Sequence, residues 1–547
     1  MSTASSEAVE PKAMTPAEIR SASHLVAAAD DDDADIDGYE MGAVDRRYQG
    51  TAADRRDMSQ LGRVQELRRN FQFLSILGFA CTLISTWEVL TTTLLISLID
   101  GGTAGLIWGY LAVAFGFSLV YMSVAEMASM APTSGGQYHW VSEFAPKPAQ
   151  KFLSYLVGWL CFTGWQAAIV AIAFLTGTII QGLIVLNDVN YVFERWHGTL
   201  IVIAITAFAI FFNTVLAKKL PVVEGLLLVL HVLGLFAIII PLWVLAPRAS
   251  ASDVFTVFTN GGGWPTQGTS AMVGLLTPVI SLIGFDCAVH MSEEVKDASA
   301  TLPKAMMWSF GFNATLGFLM AVTLCFTLGN VTDISASATG YPFIQIFYNV
   351  TGSYAGASVM TVILVLTLTA SCIAEIATAS RQLWSFARDR GVPFSSTIAR
   401  VTPGWNIPLN AVFVSLLVTV VLSLINIGST AALNAIISLT SVSLLTSYMI
   451  VIGCVLLKRI RGQPLPARRW SLGRFGGVVN AAALCFLLPI YVFAFFPAAL
   501  PVVPATMNWG IVMYAGVIGF ATVYYFAWGR RQYVPPVALV KREVFGG

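Results

Sequence analysis

Twelve long apolar runs dominate this sequence, and each is long enough to cross a lipid bilayer as an α-helix. A bilayer core about 30 Å thick needs roughly 20 apolar residues in a helix. Because 56% of the 547 residues are hydrophobic and only 11% are charged, a soluble multi-domain enzyme, which carries about 25% charged residues, is excluded. We predict an all-α polytopic protein in the lipid bilayer, with twelve transmembrane helices. They cover residues 71–98, 103–129, 152–184, 198–216, 223–246, 270–290, 305–329, 355–379, 408–427, 432–457, 476–499 and 506–528.

Basic residues concentrate in alternate loops and predict the orientation. The loops on the side of the N-terminus carry nearly all Lys and Arg, whereas the opposite loops hold only Arg195 and Arg248. The positive-inside rule therefore predicts that both termini are cytoplasmic. Two glycosylation sequons, at Asn330 and Asn349, fall in a loop predicted to lie outside. The plasma membrane is the predicted location, with the vacuole or another internal membrane as the alternative.

Other classes of protein lack support in the sequence. A net charge of +1 argues against nucleic acid, because a phosphate-binding face needs clustered Lys and Arg. All seven cysteines lie inside apolar runs, so neither a zinc site nor a disulfide scaffold is indicated. Nucleophile elbow, HExxH and dinucleotide-binding patterns are missing from any suitable context. We therefore predict no enzyme activity, no catalytic residues, no metal and no cofactor.

Ionisable residues inside the spans are few and mainly acidic. Such residues are costly in a membrane and functional by default. Glu88, Asp286 and Glu375 lie within spans, as does His231, whereas no Lys or Arg lies in the middle of any span. An acidic interior without fixed cations suits a substrate that carries a positive group.

Spans 1 and 6 carry the signs of interrupted helices. Ser85 and Thr86 precede an acid in the first span, and Pro278 and Gly284 precede Asp286 in the sixth. Gly and Ser weaken a helix locally, and hydroxyls can bond the freed backbone groups. A repeat of five spans has an odd number of crossings, so its second copy is inverted. Interrupted segments at matching positions of two inverted halves indicate a transporter binding site.

Three segments carry a family resemblance: residues 125–138 after the second span, 284–303 around the end of the sixth, and 380–391 after the eighth. They resemble the amino acid–polyamine–organocation permeases, in the fungal branch of GABA, choline and polyamine permeases, over roughly residues 65–530. The resemblance implies a five-plus-five inverted repeat with broken helices 1 and 6 and two extra C-terminal helices. It places the substrate between spans 1 and 6, near spans 3, 8 and 10.

This organisation divides the chain into four parts. Residues 1–70 are polar with an acidic run and are predicted to form a disordered cytoplasmic tail. Residues 71–457 form the ten-helix transport core, and residues 458–529 hold helices 11 and 12 with the loop before them. Residues 530–547 are predicted to be a cytoplasmic C-terminal tail.

Candidate site residues follow from the breaks and the buried polar groups. Ser85 and Thr86 are predicted to meet a carboxylate, Trp87 and Phe285 to pack on an ammonium group, and the nearby acids to supply its counter-charge. Ordinary helix packing is the alternative for each. The full substrate-binding set is Ser85, Thr86, Trp87, Glu88, Gln166, Ser281, Gly284, Phe285 and Asp286.

Two further groups complete the predicted machinery. His231 and Glu375 are candidates for proton coupling, with a packed, hydrogen-bonded residue as the alternative. Glu126, Glu293 and Glu294 lie at cytoplasmic ends of spans and are predicted to pair with Lys and Arg as a cytoplasmic gate, unless they only form a solvated surface.

The sequence therefore predicts a secondary active transporter that imports a small amine-bearing metabolite by alternating access, with a proton as the coupled ion. The first-span break lacks the glycines of many amino acid permeases, which leaves room for an ω-amino acid or a quaternary amine. GABA or a related amino acid is the first substrate prediction, and choline or a polyamine is the alternative. A nutrient receptor that binds without transporting is the rival function.

Overall fold

The computed structural model describes residue 44 and residues 48–188, 190–428, 432–504 and 507–541. Within these ranges the chain is helical, with no strand beyond isolated bridges. Twelve helices are long and apolar enough to cross a membrane, which confirms the predicted count. Spans 1 to 12 are Phe73–Ile99, Gly102–Met130, Gln150–Asn187, Arg195–Thr214, Ala217–Leu245, Gln267–His290, Ala298–Thr327, Tyr354–Arg388, Leu409–Ile427, Ala435–Ile460, Gly473–Phe493 and Gly510–Ala538.

Span 1 is interrupted at Ser85, as predicted. The helices Phe73–Ile84 and Thr86–Ile99 meet there, and Ser85 has a φ of 46° in the left-handed region. A residue with a Cβ is rarely held in this region without compensation. The Ser85 hydroxyl supplies part of it by donating a hydrogen bond to the Thr82 carbonyl at 2.7 Å.

Span 6 is interrupted over a longer stretch. The helix Leu276–Leu282 ends before Gly284, and the chain becomes helical again only in the short helix Cys287–His290. Gly284 has a φ of 99°, a conformation that glycine adopts readily because it has no Cβ. The Gly284 N–H, freed from a helical partner, donates to the Tyr121 hydroxyl of span 2 at 2.9 Å.

The spans pack in the pairs that a five-plus-five repeat produces. Span 2 lies against span 7, span 3 against span 8, and span 4 against span 9. Each of these helices thus contacts the helix five positions further along the chain, as expected around the axis that relates two inverted halves. Span 11 contacts spans 2 and 10, and span 12 contacts spans 3 and 10.

The segment before span 1 is ordered from residue 48, which corrects the predicted end of the disordered tail at residue 70. The helix Ala52–Gln60 begins with a capping box on Thr51. The Asp54 carboxylate accepts hydrogen bonds from the backbone N–H groups of Asp297 and Ala298, at 2.8 and 2.9 Å, where span 7 begins. Composition alone gave a polar tail, but these polar side chains have specific partners. Residues 1–43 lie outside the described part of the chain.

Both described ends of the chain meet on one face of the molecule. The N–H of Lys541 donates to the carbonyl of Gln60 at 2.8 Å, and the N–H of Val534 donates to the carbonyl of Asp389 at 3.0 Å. We call this side, where span 8 ends and span 1 begins, the terminal face. The last residues of the predicted C-terminal tail, 542–547, lie outside the described residues.

Candidate functional site

A cavity of about 80 Å³ lies between the two interrupted spans and spans 3, 8 and 10. A water molecule needs about 10–15 Å³ of such space, so the cavity has room for several waters or for a small organic molecule. Its wall is formed by Leu83, Ile84, Val89, Thr93, Trp165, Ala168, Ala171, Ile172, Leu175, Ile280, Ile283, Gly284, Glu375, Ile437, Thr440, Ser441 and Leu444. These spans are the ones between which the family resemblance places a substrate.

Glu375 is the one ionisable side chain among the described residues that form this wall. It lies in span 8 and is 7% exposed, and its Oε2 atom has no hydrogen-bond partner in the described structure. A buried carboxylate without a partner is costly, and the cost is relieved by a cation or by a proton. Glu375 is therefore the group on the wall that can attract an ammonium ion.

The rest of the wall is apolar, with one indole and three hydroxyl side chains. Trp165 of span 3 faces the cavity beside Gly284. A Cβ at Gly284 would lie 3.1 Å from Ile84 Cδ1 and 3.4 Å from Trp165 Cη2, so the absence of a side chain keeps the break close to both spans. Sequence reasoning missed Trp165 and selected its neighbour Gln166. Adjacent helical residues point about 100° apart, and only the rotation of span 3 decides which one faces the cavity.

Of the nine predicted substrate-binding residues, the structure places Gly284 alone on the cavity wall. Gln166 instead donates a hydrogen bond to Ser415 Oγ of span 9 at 2.9 Å and lines a separate groove between spans 3, 9, 10 and 12. Asp286 is fully buried and accepts hydrogen bonds from Gln137 and Tyr448. This conformation therefore places Gln166 and Asp286 away from the cavity wall, and their contact with substrate stays a prediction.

The remaining residues of that set are used within the packed helices. The Ser281 hydroxyl donates to the Pro278 carbonyl at 3.1 Å, as Ser85 does to Thr82. Phe285 packs edge-on against Tyr121, with ring centroids 5.3 Å apart. Two other members, Thr86 and Trp87, are fully buried away from the cavity wall. The alternative of ordinary packing describes these positions in this conformation.

Glu88 and His231 form a buried pair behind the break of span 1. His231 Nδ1 lies 2.7 Å from Glu88 Oε1, and both side chains are at most 1% exposed. His231 Nε2 lies 3.2 Å from Asn313 Oδ1, and Asn313 Nδ2 donates to the Cys81 carbonyl at 3.0 Å. In this conformation the Glu88 carboxylate contacts a histidine and lies off the cavity wall, and its contact with substrate stays a prediction.

The hydrogen-bond roles in this pair require a proton. Asn313 Oδ1 only accepts, so His231 Nε2 carries a hydrogen. His231 Nδ1 faces a carboxylate oxygen, and two lone pairs do not share a contact of 2.7 Å. Either His231 is an imidazolium or Glu88 is protonated, and in both cases the pair is neutral overall. Loss of the proton would leave an unpaired negative charge in a fully buried place.

On the terminal face, the three predicted gate carboxylates all have arginine partners. Glu293 is bound by both terminal nitrogens of Arg388, at 2.8 and 3.0 Å, and Glu294 accepts from Arg381 Nε at 2.7 Å. Burial, the largest single influence, would by itself raise the pKa of Glu293, but the guanidinium groups of Arg388, Arg63 and Arg69 together outweigh it and hold this pKa below its ordinary value. These pairs join the segment after span 6 to the end of span 8.

Glu126, the third carboxylate, joins span 2 to the chain before span 11. It accepts from Arg468 Nε at 3.0 Å and from the Leu472 N–H at 3.1 Å, and it also pairs with Arg459. Close by, Asp389 pairs with Arg63 and accepts from the Tyr138 hydroxyl at 2.9 Å. The terminal face is thus closed by several buried ion pairs.

The segments that carried the family resemblance meet at this face. The N–H of Ser134 donates to Glu293 Oε1 at 3.3 Å, and the carbonyl of Ser134 accepts from His290 Nδ1 at 2.9 Å. A Cβ at Gly135 would lie 2.9 Å from Tyr138 Cζ, so glycine allows the tight loop. The helix Gln137–Phe144 then begins directly against the end of span 6.

The sequence model of a protein family described as amino acid permease matches residues 71–518 of this chain. The chain belongs to the amino acid permease family. This permease is 28% identical to the choline transporter of Saccharomyces cerevisiae, over 85% of this chain and 83% of that protein. It is also 28% identical to amino-acid permease 2 of Neurospora crassa, over 88% of each chain. Its identity to the amino-acid permease BAT1 of Arabidopsis thaliana is 28%, over 88% of this chain and 96% of that one.

These findings settle the class of protein. The chain is an integral, multi-pass membrane transporter of the amino acid permease family and not an enzyme, as predicted. Among the described residues there is no group of His, Cys, Asp or Glu that could hold a metal ion.

Proposed function

We propose that this permease imports a small organic amine by alternating access and holds the ammonium group of its substrate at Glu375. The proposal depends on one observation: the cavity between the interrupted spans has a single ionisable side chain on its described wall, and it is a carboxylate with an unpartnered oxygen. Glu375 was predicted as a proton site. Its place on the cavity wall favours a direct role with the substrate cation.

The wall favours a compact organic cation, with choline as the first candidate. Trp165 offers an aromatic surface for an ammonium group, worth about 0.5–2 kcal/mol. GABA, the first prediction from sequence, also carries a carboxylate, and no cationic side chain on the described wall would meet it. Only backbone N–H groups at the breaks could do so. A polyamine carries two or more ammonium groups, and Glu375 is the one carboxylate on the described wall that could pair with them. The name of the yeast relative, a choline transporter, is in keeping with this order.

We further propose that the coupled proton resides on the Glu88–His231 pair. The pair needs one proton to satisfy its 2.7 Å contact. Val89, the residue after Glu88, lies on the cavity wall, and Asn313 links the pair to the carbonyl of Cys81 before the break. A change in the protonation of this pair would therefore bear directly on the conformation of span 1 beside the substrate.

The ion pairs of the terminal face form the proposed gate on the release side. We propose that this face is cytoplasmic, because the loops on it carry the excess of Lys and Arg. A plasma-membrane location follows from a role in uptake. Opening requires that Glu126, Glu293 and Glu294 separate from their arginine partners. Closure at this face while the substrate enters from the other side is the first half of an alternating-access cycle.

The test uses the purified full chain. Equilibrium binding of labelled choline and GABA is measured first, for the native chain and for Glu375→Gln. The matched control is Glu224→Gln, which neutralises another fully buried carboxylate that lies off the cavity wall, in span 5. We expect Glu375→Gln to weaken choline binding at least tenfold, about 1.4 kcal/mol, and the control to bind normally. Equal affinities in the two variants would refute the role of Glu375.

Transport is then measured in liposomes, with and without a pH gradient. Choline uptake that is stimulated by acid outside supports proton symport, and uptake that ignores the gradient contradicts it. Saturable GABA uptake without choline uptake would reverse the substrate order. Binding of either compound without counterflow would favour the nutrient receptor over the transporter.

A further inference from the structure

A second histidine–carboxylate pair lies at the end of span 6. His290 and Asp286 are one helical turn apart, both are fully buried, and neither lines the cavity. His290 Nδ1 lies 2.9 Å from the Ser134 carbonyl oxygen, and His290 Nε2 lies 3.5 Å from Asp286 Oδ2. His290 Nε2 has no other partner in the described structure.

The contacts of His290 determine where its hydrogens lie. A carbonyl oxygen only accepts, so the hydrogen bond to Ser134 requires a hydrogen on Nδ1. A neutral imidazole would then present a lone pair from Nε2 to the carboxylate of Asp286. A second proton, on Nε2, replaces this repulsion between the Nε2 lone pair and the carboxylate oxygen with an ion pair. The closed arrangement is therefore stabilised when His290 is an imidazolium.

In the part of the chain that the structure describes, the other groups around Asp286 supply no positive charge. Gln137 donates a hydrogen bond to Oδ2 of Asp286, and Tyr448 donates one to Oδ1. These two donors suit an ionised carboxylate. The other titratable groups close to it are Tyr121, Cys161 and Cys287, all neutral in their ordinary forms. Among the described residues, His290 is the one basic group within ion-pair distance of Asp286.

This pair lies between the cavity and the gate. On one side, the Trp165 ring, which forms part of the cavity wall, packs edge-on against His290 with ring centroids 5.8 Å apart. On the other side, Ser134 connects His290 to Glu293, whose carboxylate is bound by Arg388. A change at His290 can thus reach the gate through a single residue.

We propose that His290 and Asp286 form a proton-binding site, occupied when the terminal-face gate is closed and released when it opens. The proposal rests on the proposed gate but not on the identity of the substrate. When the loop at Ser134 separates from span 6, His290 Nδ1 loses the carbonyl that accepts its hydrogen bond, and water enters. The buried ion pair with Asp286 then no longer stabilises the second proton on His290. Closure takes up a proton and opening releases one, and acid on the terminal face therefore favours the closed gate.

The experiment follows gate opening without transport. A reporter cysteine replaces Thr378, which is fully buried in span 8 between the cavity residue Glu375 and the gate residue Arg381. The full chain in liposomes is labelled from the terminal face with a membrane-impermeant thiol reagent at a series of pH values. The rate is normalised to a cysteine at the exposed position Ser396, which corrects for the pH dependence of the reagent.

We expect the normalised rate to rise about threefold or more as the pH is raised from about 6.5, the ordinary value for a histidine in water, to about 8.5, because a proton that is stabilised in the closed state is lost only above the ordinary value. His290→Gln removes the imidazole that takes up the proton, and Asp286→Asn removes the carboxylate that stabilises a second proton on His290, so each variant should abolish this dependence. The matched control is His139→Gln: His139 is also buried, in the helix Gln137–Phe144 after span 2, and its Nε2 lies 2.9 Å from Glu143 Oε1. It should retain the dependence.

Three results would overturn the proposal. The first is a native chain whose normalised labelling does not change with pH. The second is retention of the pH dependence in either His290→Gln or Asp286→Asn, and the third is its loss in His139→Gln. Because labelling needs no substrate, a failure of the proposed transport function leaves this measurement valid, and a failure here leaves the binding test at Glu375 untouched.

Discussion

The Arg388 guanidinium donates two parallel hydrogen bonds to the Glu293 carboxylate, at 2.8 and 3.0 Å. Arg388 ends span 8, and Glu293 lies just beyond the interrupted span 6. The side chain of Glu293 is 1% exposed and that of Arg388 is 11% exposed, so water contacts the pair little. The two hydrogen bonds make the contact bidentate, which is the stronger form of this ion pair. Spans 6 and 8, two of the five spans that line the cavity, are thus held together at the terminal face by this pair and by Glu294–Arg381.

Glu293→Gln should open this face. The amide leaves Arg388 buried without its counter-charge, and breaking a buried ion pair costs about 3–5 kcal/mol. We expect a lower melting temperature and faster labelling of a cysteine at position 378. Glu66→Gln is the control. Glu66 is 38% exposed and its carboxylate lies 4.0 Å from Arg388, a longer and weaker contact than that of Glu293. A Glu293 variant as stable and as closed as that control would contradict the gate.

The same pair predicts how stability depends on acid. The pKa of Glu293 lies below the ordinary value of 4.5, so its stabilisation is fully present above that value and is lost as the pH falls through the lowered pKa. We expect the melting temperature to drop on acidification below about pH 4.5. The drop should be smaller in Glu293→Gln, whose amide does not titrate. Parallel curves for the two proteins would assign the acid sensitivity to other carboxylates.

The sequence was sufficient for the membrane fold and its two breaks. The apolar runs predicted all twelve spans, and Ser85 and Gly284 fall within the segments that were expected to be interrupted. These features depend on local composition and on the length of each run. They are therefore visible without any knowledge of how the helices rotate against each other.

The wall of the cavity was not predictable in the same way. Glu88 and Glu375 are both acids within spans, yet one bonds His231 and the other faces the cavity. The choice depends on the rotation of spans 1 and 8, which is set by packing across the whole bundle. His290 was visible in the sequence only as part of a motif, and its role depends on the Ser134 carbonyl, a backbone group with no sequence signal.

The ordered segment before span 1 leads to a prediction on stability. Asp54 accepts two N–H groups at the start of span 7 and lies 3.3 Å from Arg69. Asp54→Ala removes this N-terminal cap, which is worth about 0.5–2 kcal/mol. We expect a lower melting temperature, with partial recovery in Asp54→Asn. Arg56→Ala, an exposed change on the same helix, should have no effect, and equal melting temperatures for Asp54→Ala and Arg56→Ala would show that the contact is not stabilising.

Gly284 should resist substitution more than its size suggests. Alanine at a φ of 99° is strained by about 1–3 kcal/mol, and its Cβ would press on Ile84 and Trp165. We expect Gly284→Ala to lower both the melting temperature and choline binding. Gly311→Ala is the matched change within the helix of span 7, where a Cβ meets nothing within 4 Å. If both variants bind choline equally, the shape of the break does not limit the site.

Glu88→Gln separates proton coupling from substrate binding. A glutamine amide can donate to His231 Nδ1 while Nε2 keeps its hydrogen for Asn313, so the pair becomes neutral without an added proton. Because Glu88 lies off the cavity wall, we expect choline binding to persist while uptake no longer responds to a pH gradient. In the native chain, each unit of pH gradient supplies about 1.4 kcal/mol for every proton that enters. This free energy supports up to tenfold accumulation of choline when one proton moves with each substrate molecule.

The control for this prediction is Glu224→Gln, whose carboxylate is equally buried but accepts from the Thr82 hydroxyl at 2.6 Å and contacts no histidine among the described residues. It should keep gradient-driven accumulation. If Glu88→Gln accumulates choline like the native chain, the Glu88–His231 pair does not carry the coupled proton. If it loses choline binding instead, Glu88 acts on the substrate, as the sequence first suggested, in a conformation other than this one.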